Sequence, residues 1–303
     1  MSAICHWRAR ALPAAAAARV VRAVAAHAAG APASGELLVK REAVVGGEVA
    51  VLTMDRPKAK NAIGRQLLES LRSELLAVAA APVAKRPRAV VLRSAVAGTF
   101  CAGADLRERR TMTPDEARKF VDTLRDTFTL LADLPVPTVA TVDGYALGGG
   151  FEMALACDAV VAGSGAVFGL PETGLGIIPG AGGTQRLARR VGVMRAKEMV
   201  LTGRRFGAQE ALDAGVATEA AIGGTDSECA DVAAMALAER IARHSAPLAA
   251  AAAKRAIDGG AELEIREGFE LERECYETLL GTEDRLEALA AFAEKRRPEF
   301  QGR

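Results

Sequence analysis

Gly144-Tyr145-Ala146-Leu147-Gly148-Gly149-Gly150-Phe151-Glu152 decides the reading of this chain. Three consecutive glycines stand just before an apolar run that continues as Met153-Ala154-Leu155-Ala156. A glycine turn leading from strand to helix leaves backbone N–H groups free to face a negative charge, and the helix dipole adds to their pull. Glu152 falls inside the apolar helix, where a carboxylate is costly unless it is paired or used. Twenty residues later, Phe168-Gly169-Leu170-Pro171-Glu172 sets a second glutamate behind a proline that fixes the local chain. Ile178-Pro179-Gly180-Ala181-Gly182-Gly183-Thr184 follows. Two carboxylates beside such a turn can be driven to different pKa values, so that one accepts a proton while the other gives one. That combination points to acid/base chemistry on a carbonyl compound.

Each feature also has a plainer meaning. The glycines alone make a tight turn, Glu152 alone makes a cap or buried ion pair, and Glu172 alone is a surface acid. Their joint occurrence favours a site. Charge developing on a carbonyl oxygen needs two N–H donors about 3 Å away. The triple glycine offers one. Phe100-Cys101-Ala102-Gly103-Ala104-Asp105, a small-residue loop after the apolar strand Ala89-Val90-Val91-Leu92, offers the second.

Around these segments the pattern alternates. Leu37–Arg41 and Glu48–Met54 read as strands joined by a hairpin at Gly46-Gly47. Asn61 is expected to cap a helix carrying Leu67, Leu68, Leu71, Leu75 and Leu76 at helical spacing. Thr113-Pro114-Asp115-Glu116 is a capping box opening a helix that buries Phe120, Val121, Leu124, Phe128 and Leu131. Leu134-Pro135-Val136-Pro137 ends it. Strands follow at Thr138–Val142, Asp158–Ala162 and Ala166–Phe168. Strands alternating with helices imply a layered α/β core with parallel pairing. From about residue 227 only helical patterns remain, near 229–243, 247–257, 262–280 and 282–296, so the expected division is a core over 36–226 and a helical module over 227–303.

Composition removes several classes of function. The 303 residues carry a net charge of +1, which gives no global field toward nucleic acid or an anionic membrane. Residues 1–35 hold Arg8, Arg10, Arg19 and Arg22 and no acid, the pattern of a mitochondrial transit peptide. No uninterrupted apolar stretch is long enough to span a membrane. Five dispersed cysteines fit a reduced compartment with neither a disulfide framework nor a zinc site. Three histidines, two of them in the expected leader, leave little for histidine catalysis or metal binding. No cofactor or metal is expected. Gly182-Gly183-Thr184 lacks the lysine of a phosphate loop, no Gly-x-Gly-x-x-Gly follows a strand, and no Gly-x-Ser-x-Gly occurs. The basic run Arg107, Arg109, Arg110, Arg118, Lys119 and Arg125 is interleaved with Asp115, Glu116 and Asp122 and reads as a solvated face, with RNA binding as its alternative.

Phe100–Leu106, Ala146–Glu152, Phe168–Glu172 and Ile178–Arg186, in that order, resemble the signature segments of the enoyl-CoA hydratase/isomerase (crotonase) superfamily, over a span from about residue 37 to the C-terminus. Val136-Pro137-Thr138, Cys275-Tyr276, Asp284–Glu287 and Glu294-Lys295-Arg296 are similar to the branch that holds methylglutaconyl-CoA hydratase and the plant-type mitochondrial enoyl-CoA hydratases. The methylglutaconyl form has Val before the second glutamate where this chain has Pro171, as the commoner hydratase form does. The resemblance implies a crotonase-like spiral of repeated β-β-α turns with a C-terminal helical oligomerisation module, assembled as a homotrimer or homohexamer. It implies hydration of a trans-2-enoyl-CoA to the 3-hydroxyacyl-CoA, in fatty-acid or branched-chain amino-acid breakdown in the mitochondrial matrix. By position, Ala104 and Gly149 would donate the oxyanion N–H bonds, Glu152 would activate water and Glu172 would exchange the proton at C2. Lys58, Ala59, Ala102, Asp105, Leu106 and Arg107 would line the CoA channel, and Phe292 and Lys295 would reach CoA from a neighbouring subunit. The alternatives within the same fold are a methylglutaconyl-CoA hydratase with an RNA-binding side activity and a Δ3,Δ2-enoyl-CoA isomerase.

Overall fold

Residues 35–221 and 228–303 are described by a computed structural model. The expected leader and residues 222–227, where the expected domain boundary falls, lie outside them. In chain order the elements are β1 (Leu37–Val44), β2 (Gly47–Met54), α1 (Arg65–Ala80), β3 (Ala89–Ser94), β4 (Thr99–Cys101), α2 (Leu106–Arg109), α3 (Pro114–Ala132), β5 (Thr138–Val142), β6 (Tyr145–Leu147), α4 (Gly149–Leu155), β7 (Ala159–Gly163), β8 (Val167–Gly169), α5 (Gly183–Val191), α6 (Val193–Thr202), β9 (Phe206–Gly207), α7 (Ala208–Asp213), β10 (Glu219–Ala221), α8 (Glu228–His244), α9 (Pro247–Gly260), α10 (Ile265–Glu277) and α11 (Glu283–Glu294).

The strands form two sheets, ordered β1-β2-β3-β5-β7-β10 and β4-β6-β8-β9. Only the β1–β2 hairpin and the β8–β9 pair are antiparallel. Each winding of the chain adds a strand to the first sheet, then a short strand to the second, then helix: β3-β4, β5-β6 and β7-β8 repeat this step. This is the spiral of repeated turns that the resemblance implies, and it stacks β4, β6 and β8 side by side. The segments that follow those three strands carry Ala104 in a loop, Glu152 in α4 and Glu172 in a short turn.

Local chemistry explains the starts and stops. The capping box opens α3: Thr113 Oγ1 accepts from the Glu116 N–H at 3.3 Å, and Glu116 Oε2 accepts from the Thr113 N–H at 2.9 Å. The helix buries Phe120, Leu124, Phe128 and Leu131, while Val121 stays half-buried beside the cavity described below.

Asn61 is not the cap of α1. That helix starts after Gly64, and Asn61 lies fully buried in a left-handed conformation. Its amide donates to Ser94 Oγ at 2.7 Å and to the Phe100 carbonyl at 3.0 Å, and its Oδ1 accepts from the Arg56 N–H at 2.8 Å. One side chain thus ties the exits of β2, β3 and β4 together.

The first C-terminal helix serves the core. Ala230, Ala234, Leu237 and Ala238 of α8 pack onto Val49, Val51, Val91, Val139 and Val161 of the large sheet. Small alanines let the helix approach the flat valine surface closely. Further on, α10 buries only Cys275, and α11 only Asp284 and Ala291. Ile265, Phe269, Tyr276, Leu286, Leu289 and Phe292 stand exposed on these two helices. Among the described residues no helix is long and apolar enough to cross a membrane.

Candidate active site

The glycine turn works through close approach. Gly148 has φ +52, which disfavours any residue with a Cβ, and begins α4. At Gly150 a Cβ would overlap the Cys101 carbonyl oxygen, so glycine there lets α4 sit directly on the end of β4. That contact brings two main-chain amides together. Ile63 donates to the Gly103 carbonyl at 2.7 Å and accepts from the Asp105 N–H at 3.0 Å. In a parallel pairing of this kind the intervening residue turns its own N–H the other way, so the Ala104 amide faces away from Ile63. The Gly149 N–H is the first of α4 and has no acceptor in a preceding helical turn. A Cβ placed on Gly149 would lie 3.7 Å from the Ala104 nitrogen, so the two residues stand close together, and both line the cavity described below.

Glu152 is 3% exposed. Its Oε1 accepts from the Ala181 N–H at 2.8 Å and from the Gly183 N–H at 2.7 Å. Burial raises its pKa, while those two amide bonds and the charges of Arg186 and Arg125 oppose the rise. Glu172 is 8% exposed, in the short turn Glu172–Leu175 after β8. Its Oε2 is buried with no hydrogen-bond partner among the described residues. Burial foremost, together with the negative charge of Glu152, pushes its carboxyl up to about 7. The two acids are thereby set apart: Glu152 is held by donors that favour its anion, and Glu172 is held where a proton is retained near neutrality.

Ala104, Gly149, Glu152 and Glu172 all line one cavity of about 640 Å³. Leu106, Val121 and Leu124 form one apolar wall, and Leu175, Ile177 and Ile178 another. Arg109 and Arg125 also reach it. Two donors, two acids in different surroundings and an apolar chamber can polarise a carbonyl, activate water and exchange a proton on the adjoining carbon.

The remaining expected residues separate. Ala102 and Leu106 line the cavity. Lys58 and Ala59, in the turn Pro57–Ala59, do not, although the Ala102 N–H donates to the neighbouring Lys60 carbonyl at 3.1 Å. Asp105 is buried and its carboxylate is taken up by the fold: it accepts from the Arg107 N–H at 2.9 Å, capping α2, and from Arg56 Nη1 at 2.8 Å. Arg107 is exposed. Phe292 and Lys295 are exposed at the end of α11 and do not line this chain's cavity. In the basic run, Arg118 pairs with Asp115 and Arg125 with Asp122 along α3, as on a solvated face. The sequence reading assigned no role to the Ala181 and Gly183 amides that grip Glu152. Gly180-Ala181-Gly182-Gly183 just before α5 is the signal available in the sequence, since it repeats the glycine turn into a helix seen at Gly148–Gly150.

Comparison with known proteins identifies the family. The enoyl-CoA hydratase/isomerase family matches residues 45–303. The chain is 47% identical to the probable mitochondrial enoyl-CoA hydratase 2 of Arabidopsis thaliana over 266 residues, covering 87% of this chain and 86% of the relative. It is 43% identical to the mitochondrial methylglutaconyl-CoA hydratase of Mus musculus, covering 84% of this chain and 80% of the relative. The crystal structure of an enoyl-CoA hydratase from Bacillus anthracis superposes with a TM-score of 0.82 at 39% identity, covering 88% of this chain and all of that one. The spiral, the two facing amides and the paired glutamates thus sit in a chain that belongs to the enoyl-CoA hydratase/isomerase family of the crotonase superfamily.

Proposed function

We propose that the protein adds water across the 2,3 double bond of a trans-2-enoyl-CoA, giving the 3-hydroxyacyl-CoA, in the mitochondrial matrix. The observation that carries this reading is that two buried glutamates in different protonation environments share one cavity with two facing amides. The thioester oxygen sits between the Ala104 and Gly149 amides, which take up the charge that develops on it. Water held by the Glu152 carboxylate adds its oxygen to C3 and yields a proton to that carboxylate. Glu172 gives its proton to C2. Passage of the proton from Glu152 back to Glu172, directly or through solvent, restores both acids. Each acid–base group contributes typically about 10²–10⁴-fold. The thioester acidifies C2 and the amides act as the electrophile, so the reaction asks for no metal or redox cofactor.

Acids at both positions favour hydration over double-bond isomerisation, which can run with one proton-shuttling carboxylate. The names of the relatives support the mitochondrion, and support an enoyl-CoA or methylglutaconyl-CoA substrate; the reaction would serve fatty-acid or branched-chain amino-acid breakdown. The exposed apolar side chains of α10 and α11 support a homotrimer or homohexamer in which Phe292 and Lys295 reach the CoA of a neighbour. The same exposed faces support the reading of residues 227–303 as an assembly module, with α8 shared with the core.

Crotonyl-CoA incubated with the purified protein should gain the mass of one water. Glu152→Gln and Glu172→Gln should each lose most of that turnover and still bind a saturated acyl-CoA. Turnover near wild type in either variant removes that residue from the mechanism.

A further inference from the structure

Glu152 is buried in an apolar helix, and a base for water must nonetheless be ionised near neutrality. Arg186, on α5, lies where it can meet that need. Its Nη1 donates to the Ala181 carbonyl at 3.0 Å, and its Nη2 reaches Thr129 Oγ1 on α3 at 3.4 Å. The carbonyl it holds belongs to the residue whose N–H grips Glu152 Oε1. Arg186 is half-buried and forms no ion pair within 4 Å among the described residues, so its charge is not neutralised by a contacting carboxylate.

From this geometry we propose that Arg186 is a positioning residue for Glu152: it fixes the Ala181–Gly183 turn and supplies the positive charge that favours the carboxylate form. This rests on the hydratase reading and adds to it the cause of the division of labour between the two acids.

Several charged groups surround this pair. Glu152 meets Arg186 first and Arg125 of α3 second. The Arg125 guanidinium is shared with Asp122 at 3.2 Å and with the Gly180 carbonyl at 3.1 Å, and its side chain is 53% exposed, so water screens it. Glu172 faces Glu152 with like charge. Asp133, at the end of α3, attracts Arg186, and Arg190 of α5 repels it. The Cys157 thiol behind α4 is pushed up to about 12 by burial and stays neutral. Among the described residues no cation is a cause of the Glu172 shift as Arg186 is for Glu152, and Glu172 retains its proton to about 7.

The test compares wild type with Arg186→Gln and Arg186→Lys. Two readouts are taken: kcat/KM for crotonyl-CoA from pH 5.5 to 9, and titration of the Glu152 side-chain carboxyl by NMR of protein carrying ¹³C-labelled glutamate. The signal is identified by its loss in Glu152→Gln. Arg186→Gln should lose about tenfold more kcat/KM at pH 6 than at pH 8, as expected for removing one nearby opposite charge. Its Glu152 signal should titrate at higher pH, while affinity for butyryl-CoA stays close to wild type. Arg186→Lys should recover most of the acid-side activity. A Gln variant whose whole profile drops evenly, with Glu152 titrating unchanged, overturns the proposal. Should Arg186→Gln fail to fold, the Lys variant decides alone: it must keep the acid side of the profile, and losing that side overturns the proposal. If the wild-type protein does not hydrate crotonyl-CoA, the hydratase reading fails, and the NMR titration still tests the Arg186–Glu152 coupling.

Discussion

Replacing Glu172 with Gln should make the protein more stable at neutral pH while removing its activity. The cavity keeps this side chain 8% exposed and leaves Oε2 without a partner among the described residues. Burial raises the carboxyl from 4.5 to about 7. An acid whose folded-state pKa is raised binds its proton more tightly folded than unfolded, so stability falls as pH rises between those values. Below about 4.5 the group is neutral in both states and carries no penalty; above about 7 it is ionised in both and the penalty is complete. Fully expressed, the difference is worth about 3 kcal/mol, taking 1.36 kcal/mol per pKa unit. Water in the adjoining cavity screens the charge, and about 1–2 kcal/mol is the expected gain from the neutral amide. For a chain of this length that corresponds to a melting temperature higher by about 2–6 °C. Urea denaturation of wild type and Glu172→Gln at pH 4.5, 6 and 8 measures it. The gain should be near zero at pH 4.5 and largest at pH 8. An equal gain at all three, or a loss at pH 8, refutes the reasoning that desolvation sets the state of Glu172.

The remaining predictions concern separate parts of the site. On the alkaline side, kcat/KM should fall as pH rises through about 7, because the proton that Glu172 delivers to C2 is lost; a flat profile from pH 6 to 9 contradicts its role as acid. Gly150→Ala should drive α4 off the Cys101 carbonyl, misplace the Gly149 donor and lower kcat by about 10²–10³. Circular dichroism checks that the variant is folded, and near-normal kcat contradicts the assigned geometry. Asn61→Leu should lower the unfolding free energy by about 2–4 kcal/mol by leaving buried partners on β3 and β4 unsatisfied, read as a lower urea midpoint; a change under about 0.5 kcal/mol contradicts the stitching role.

What the sequence discloses here is what short-range chemistry determines. The Thr113–Glu116 capping box and the β1–β2 hairpin are closed by residues adjacent in the chain; the box forms as read, and the hairpin turns at Val45-Gly46, one residue before the expected Gly46-Gly47, with Gly47 already paired to Val44. Gly148–Gly150 announces itself because only glycine tolerates the turn and the contact with β4. The rest depends on partners far along the chain. Asn61 before a leucine stripe reads as a cap, yet its amide is satisfied by groups 33 and 39 residues away. Glu152 is held by amides 29 and 31 residues on, and no periodicity marks a main-chain donor. Asp105 looks like a channel residue from its motif, but Arg56, 49 residues earlier, claims it for the fold. The alanine face of α8 gives no hint that its partner is a valine sheet.

The proposed chemistry depends on a thioester carbonyl polarised between the Ala104 and Gly149 amides. Infrared difference spectroscopy of butyryl-CoA labelled with ¹³C at the thioester carbonyl measures this directly. The carbonyl band should move to lower wavenumber on binding, and the displacement should shrink in Gly150→Ala. A bound ligand whose band stays at its solution position would contradict it.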